Sequence, residues 1–167
     1  QALRARFMLI GSRGLIDMAL AALDIALWDA YALHLKQPLM RLLGGAPIDL
    51  PAYASFGMDG LEEAVRFTAE AVAQGFGAVK IKVGYEDFAD DLAVIRAVKR
   101  TIGDAALLID YNQSLNLPEA IQRCCALDDE GLTWIEEPTA YDDTTGHAKI
   151  AAGIRTPLQL GENLWGP

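Results

Sequence analysis

Residues 78–113 read AVKIKVGYEDFADDLAVIRAVKRTIGDAALLIDYNQ. The stretch opens on AVKIKVG, a run of strand length rich in β-branched residues. From Phe88 to Ile102 the apolar residues recur at helical spacing, and Gly103 is a good helix stop. ALLIDYNQ then reads as a second strand. A strand, a helix and a strand with short connections imply parallel strands joined by a right-handed crossover. Working outward, the unit recurs. Upstream, PAYASFG (51–57) is a strand and Leu61 to Gln74 a helix ended by Gly75. Downstream, a helix runs from Leu117 to Glu130, with Pro118 in its first turn and Gly131 as its stop. LTWIEEP (132–138), a helix from Thr144 to Ala152 closed by Gly153, and LQLGEN (158–163) complete the pattern.

Five strands therefore alternate with four helices in an α/β fold. The strands are mostly continuous apolar runs, as expected where both faces are covered. An open doubly wound sheet and part of an eight-stranded TIM-type barrel both fit this pattern. No GxGxxG follows the first strand, and there is no P-loop. Polar residues instead stand at the C-terminal ends of successive strands, where barrel enzymes keep their chemistry. Residues 1–47 read as a helical lead-in and residues 48–167 as the first part of the barrel domain.

Lys82, Asp110, Glu136 and Glu162 occupy matching places in four consecutive units, at steps of 28, 26 and 26 residues. One strand-helix unit of a barrel takes roughly 30 residues. The chain thus returns to the same rim, one strand over, and each time leaves an ionisable side chain. Three neighbouring carboxylates repel one another in a low-dielectric barrel mouth and need a cation. Oxygen ligands with room for water suit Mg²⁺, with Mn²⁺ as the substitute. The bland alternative is that each acid pairs with a base across the mouth. In AVKIKVG, alternation puts Lys80 and Lys82 on one face and Val79, Ile81 and Val83 on the other. With the aliphatic residues toward the helices, both lysines face the barrel interior. Burial and like charge are expected to lower a lysine pKa there and so provide a general base. Asn112, two residues beyond Asp110, is placed to bond a substrate hydroxyl, and Ser55 a substrate carboxylate. Both also read as strand-end caps. Glu137 points away from Glu136 by alternation and reads as a supporting acid. Asn163 and Trp165 read as rim residues, and His147 lies on a helix away from the strand ends.

Composition narrows the partners. The chain has 167 residues, is 52% hydrophobic and carries a net charge of −9, which disfavours nucleic acid. The most apolar stretch, residues 14–33, contains Asp17, Asp24 and Asp29. Each costs about 3 kcal/mol near a membrane centre. The stretch therefore reads as a helix packed against protein, not a membrane span. Cys124 and Cys125 are adjacent and do not have metal-site spacing. Free thiols and the lack of a visible signal segment suggest a cytoplasmic setting.

The set KIK, IDYNQS, WIEEPT and GEN, in this order and spacing, resembles the mandelate racemase subgroup of the enolase superfamily. The resemblance runs from about Leu15 to Pro167. It implies a (β/α)7β barrel and an isomerase that removes the proton alpha to a carboxylate through an enediolate intermediate. Asp110, Glu136 and Glu162 are then the Mg²⁺ ligands, Lys82 the base for one face of the substrate, and Lys80 a carboxylate-binding neighbour. Ser55 and Asn112 match substrate contacts. The expected reaction is racemisation of a 2-hydroxy acid, with acid-sugar dehydration as the alternative. A small carboxylate is the expected partner, in a homo-oligomer when full length. The resemblance also implies eight strands, a capping domain and an opposite-face His-Asp base. Five strands, no capping domain and no second base are counted here. A partial chain is therefore expected, and a non-catalytic fragment is a further alternative. The ligand assignment predicts that Glu136→Gln weakens Mg²⁺ binding by about tenfold or more, or 1.4 kcal/mol. Unchanged affinity in a calorimetric titration removes Glu136 from the set.

Overall fold

The computed structural model describes residues 2–7 and 9–164 and divides into two compact units, one reaching Leu50 and one spanning Pro51–Leu164. The first unit holds α1 (Ala2–Ala5), α2 (Leu15–Leu35) and α3 (Leu39–Leu42). The Arg4 guanidinium donates to the Asp17 carboxylate at 2.7 Å and ties α1 to α2. α2 ends on Lys36, which takes the left-handed conformation at φ 51°. Among the described residues α2 buries only Asp17 and Ala32, while Ile25, Leu27 and Leu33 stay exposed. The packed helix expected from the sequence is therefore not found in this unit. The apolar residues of α2 run round the whole helix instead of forming one stripe, and two single-turn helices cover little of it. None of the described helices is long and apolar enough to cross a membrane.

The second unit alternates β1 (Ala54–Ser55), α4 (Leu61–Ala73), β2 (Ala78–Lys82), α5 (Phe88–Ile102), β3 (Ala106–Asp110), α6 (Leu117–Leu127), β4 (Trp134–Glu136), α7 (Thr144–Gly153) and β5 (Leu158–Gln159). The five strands are parallel and pair in the order β1-β2-β3-β4-β5. A doubly wound sheet reverses its order partway. This sheet never reverses, so it is an arc of a (β/α) barrel. One face carries Val79, Ile81, Val83, Leu107, Ile109, Tyr111 and Ile135 into the main core, together with Val94, Ile95, Val98 and Ile102 of α5. Those four α5 positions fall on one stripe of the helix. Full burial of each such side chain contributes about 1.5–3 kcal/mol.

Helix starts follow their caps. Asp87 accepts from Ala89 N at 2.8 Å, Asn116 from Glu119 N at 3.0 Å and Asp143 from Gly146 N at 2.8 Å. Cys124 and Cys125 are both free, the first buried and the second exposed. Burial pushes the Cys124 thiol up to about 12, which leaves it inert.

A buried charge network fixes the turn that follows β2. Asp91 Oδ1 accepts from Gly84 N at 2.8 Å and Tyr85 N at 3.0 Å. Its Oδ2 accepts from Arg123 Nη1 at 2.7 Å and from the Tyr111 hydroxyl at 3.3 Å. Arg123 also donates to the carbonyls of Tyr85 and Glu86. Asp91 is fully buried and Arg123 nearly so. Removing Asp91 leaves Arg123 only Glu119 and two carbonyls, and takes the acceptor from Gly84 N, Tyr85 N and the Tyr111 hydroxyl. Asp91→Ala is therefore predicted to lower unfolding free energy by about 3–5 kcal/mol. Urea denaturation checks this, and a loss below about 1 kcal/mol, the range of an exposed pair, contradicts it.

Candidate active site

Parallel register sets the site. The Cα of Lys82 pairs with Asp110, Asp110 with Glu136, and Glu136 with Gln159. One pleat below, Ser55 pairs with Lys80, Lys80 with Leu108, and Leu108 with Trp134. Registered partners in a sheet share a face, so both rows lie opposite the helix-packed core. The alternation read from AVKIKVG is thus realised: Val79, Ile81 and Val83 are in the core, and Lys80 and Lys82 are on the other face.

Three side chains converge. Lys80 Nζ donates to Glu136 Oε1 at 2.9 Å and to Asp110 Oδ2 at 3.2 Å. Lys80, Asp110 and Glu136 are all buried. Burial pulls the Lys80 ammonium down, but its bonds to Glu136 and Asp110 outweigh this and hold its pKa above the ordinary lysine value. The expected lowering is therefore corrected for Lys80, because carboxylates and not a second ammonium are its nearest charges. Lys82 is half-buried and has no ion pair among the described residues.

The other oxygens of the acids also accept hydrogen bonds. Trp134 Nε1 donates to Glu136 Oε2 at 3.2 Å. Asn112 N donates to Asp110 Oδ1 at 2.8 Å, and Asn112 Nδ2 reaches both Asp110 oxygens at 3.1 Å. The Asn112 side chain is thus turned onto Asp110. Ser55 is exposed, beside Lys80 on β1. Glu162 is not brought into the cluster. Gln159 takes the β5 position opposite Glu136, and Glu162 lies three residues further on, exposed in a turn, with Asn163 Nδ2 3.5 Å from its Oε1. β5 is two residues long and pairs with β4 alone among the described strands, so its ladder stops before Glu162. Among the described residues no three His, Cys, Asp or Glu side chains are grouped to hold a metal. Trp165 lies outside the described residues. His147 is buried in α7, with Nδ1 2.9 Å from the Asp143 carbonyl oxygen.

Two participants were not singled out from the sequence. Trp134 could have been, because it stands two residues before Glu136 and alternation puts it on the same face. Gln113 could not: its Nε2 donates to Glu137 Oε2 at 2.9 Å only because Gln113 adopts φ 64° and Glu137 φ 39°.

Asp110 and Glu136 offer oxygen donors only and already converge on one positive charge. That donor chemistry fits a hard divalent cation.

Sequential parallel strands with charged side chains at their C-terminal ends define an arc of a (β/α) barrel, with its polar residues where barrel enzymes keep their chemistry. Residues 63–167 match the family described as Enolase C-terminal domain-like, and residues 1–44 match the Mandelate racemase / muconate lactonizing enzyme N-terminal domain. The chain belongs to this family, the enolase superfamily. Residues read from the sequence as a helical lead-in without a capping domain are thereby related to the family's N-terminal domain. The chain is 33% identical over 159 residues to L-talarate/galactarate dehydratase of Salmonella typhimurium, covering 93% of this chain and 40% of that one. It is 33% identical over 152 residues to N-succinylamino acid racemase of Thermus thermophilus, covering 89% and 40%. The crystal structure of an enolase from Bradyrhizobium complexed with magnesium and mandelic acid superposes with a TM-score of 0.91 at 41% identity, over 98% of this chain and 46% of that one. The chain thus spans less than half the length of these relatives.

Because Lys80 occupies the point where the two acids converge, it competes with any incoming cation. Displacing an ammonium from two charge-assisted bonds costs about 1.5 kcal/mol or more. Lys80→Met is therefore predicted to bind Mg²⁺ about tenfold more tightly than the parent. Weaker binding contradicts the competition. A raised lysine pKa contributes stability that is complete below the unfolded value of about 10.4. That contribution is lost only as pH rises through the folded value, so the competition persists at neutral pH.

Proposed function

We propose that the full-length protein removes the proton alpha to the carboxylate of a small 2-hydroxy acid and returns it, as a mandelate racemase-like isomerase. The observation that carries this reading is the convergence of Lys80, Asp110 and Glu136, with Lys82 beside Asp110 in the strand-end row. The relatives support the superfamily chemistry, and the Bradyrhizobium enolase with magnesium and mandelic acid supports the metal and the ligand class. Asp110 and Glu136, with Glu162 as the third ligand, hold Mg²⁺; Mn²⁺ has the same preference for hard oxygen ligands. The bound ion supplies positive charge to the substrate carboxylate.

The chain's own residues have separate tasks in this reading. Lys82, half-buried and without an ion pair among the described residues, is the side chain assigned to take the alpha proton from one face. Lys80, held protonated by its acid neighbours, offers its ammonium to the substrate carboxylate as negative charge develops there. Ser55 lies next to Lys80 on β1, where its hydroxyl is open to the same carboxylate. Asn112 Nδ2, bonded to Asp110, orients that ligand, and the amide oxygen is left as the acceptor for a substrate hydroxyl.

A second reading is dehydration of an acid sugar from the same alpha-proton step, favoured by the likeness to L-talarate/galactarate dehydratase. Proton NMR in D2O separates the two. The full-length, Mg²⁺-loaded protein is predicted to exchange the alpha proton of (R)- or (S)-mandelate. Lys82→Ala should slow exchange from one face by about 10²- to 10⁴-fold without changing Mg²⁺ affinity. No exchange with either enantiomer rejects mandelate chemistry. A keto-acid product from talarate or galactarate favours the dehydratase.

A further inference from the structure

Past the ends of β3 and β4 the two chains do not separate. Tyr111 N donates to the Glu136 carbonyl at 3.0 Å, Gln113 N to the Glu137 carbonyl at 2.7 Å and Leu115 N to the Pro138 carbonyl at 3.2 Å. The Gln113 side chain spans the same gap. Its Nε2 donates to Glu137 Oε2 at 2.9 Å, and its Oε1 accepts from Tyr141 N at 2.9 Å. Glu137 N in turn donates to the Gln159 carbonyl at 2.9 Å. One amide and one carboxylate thus tie the segments that follow β3 and β4, and the backbone of Glu137 adds a bond to β5.

This arrangement is costly to the fold. Asn112, Gln113 and Glu137 all have positive φ, at 46°, 64° and 39°. Such positions cost on the order of 1–3 kcal/mol each for a non-glycine residue. Glu137 is 1% exposed, and its Oε1 has no hydrogen-bond partner among the described residues. A buried carboxyl with a lone oxygen is worse for stability than an apolar residue of the same volume. Local choices that cost stability concentrate at functional sites. The neighbours of this clamp identify what it serves: Glu137 follows Glu136 directly, and Gln113 follows Asn112, whose backbone and side chain both hold Asp110.

We propose that Gln113 and Glu137 are positioning residues that set the spacing of the Asp110 and Glu136 carboxylates for a divalent cation. They touch neither the cation nor the substrate, and they act through the backbone of residues 112 and 136. The inference rests on the Mg²⁺ site proposed above. Partners of this kind change metal affinity by about 10- to 100-fold when removed.

The test is isothermal titration of Mg²⁺ into the full-length protein, with thermal melting alongside. Gln113→Asn keeps a residue that tolerates left-handed φ but is one methylene too short to reach Glu137. It should weaken Mg²⁺ binding about tenfold or more. The exchanged pair, Gln113→Glu with Glu137→Gln, keeps the net charge, the acceptor for Tyr141 N and a hydrogen bond across the gap. It should restore affinity to within about threefold of the parent, or 0.7 kcal/mol. A Gln113→Asn protein that melts lower yet binds Mg²⁺ like the parent has lost only a structural contact, and that overturns the inference. Failure of the exchanged pair to recover affinity overturns it as well. A parent that binds no Mg²⁺ overturns the metal site itself and this inference with it.

Discussion

Two carboxylates buried side by side on adjacent strands cannot both stay charged without a cation between them. In this protein Asp110 and Glu136 are forced into that position by parallel register, which pairs their Cα atoms at the last rung of the β3-β4 ladder. Lys80 answers them with an ammonium 2.9 and 3.2 Å away. Most of the second unit arranges itself around this requirement. The aliphatic face of each strand packs on the helices, so that the opposite face is free to carry charge. The Asp91–Arg123 network fixes the turn after the lysine strand, and the Gln113–Glu137 clamp ties the segments after the acid strands.

Charge balance also separates the surroundings of the two lysines. They are two residues apart on one strand and share a face, yet their environments differ. Lys80 lies one pleat deeper, within reach of both acids, and is held protonated. Lys82 lies at the rim in register with Asp110 but makes no ion pair among the described residues. One strand therefore presents a lysine bound to two acids and, at the rim, a second lysine with no ion pair among the described residues.

Much of this was legible in the sequence because it depends on short-range periodicity. The α5 boundaries, Phe88 and Ile102, follow from apolar spacing and Gly103, and the facing of Lys80 and Lys82 follows from the two-residue period of a strand. The parallel order of the sheet follows from alternating strands and helices. What escaped depends on distances across the sheet or on backbone conformation. The pKa of Lys80 moves up instead of down because two acids from other strands reach it, which no local pattern encodes. Glu162 matches the strand-end spacing by count, while the ladder hydrogen bonds put Gln159 opposite Glu136 and leave Glu162 three residues further along. The Gln113–Glu137 contact needs positive φ at both residues, and neither residue type announces that. The burial expected for α2 required neighbours that the described residues do not supply.

The most direct test is a crystal structure of the full-length protein grown with Mn²⁺, read from its anomalous difference map. A single peak at the roughly 2.1 Å of a hard-cation oxygen bond from both Asp110 and Glu136, with Lys80 Nζ withdrawn from between them, is the predicted result. Lys80 still bridging the two carboxylates, with manganese bound elsewhere or not at all, would contradict it.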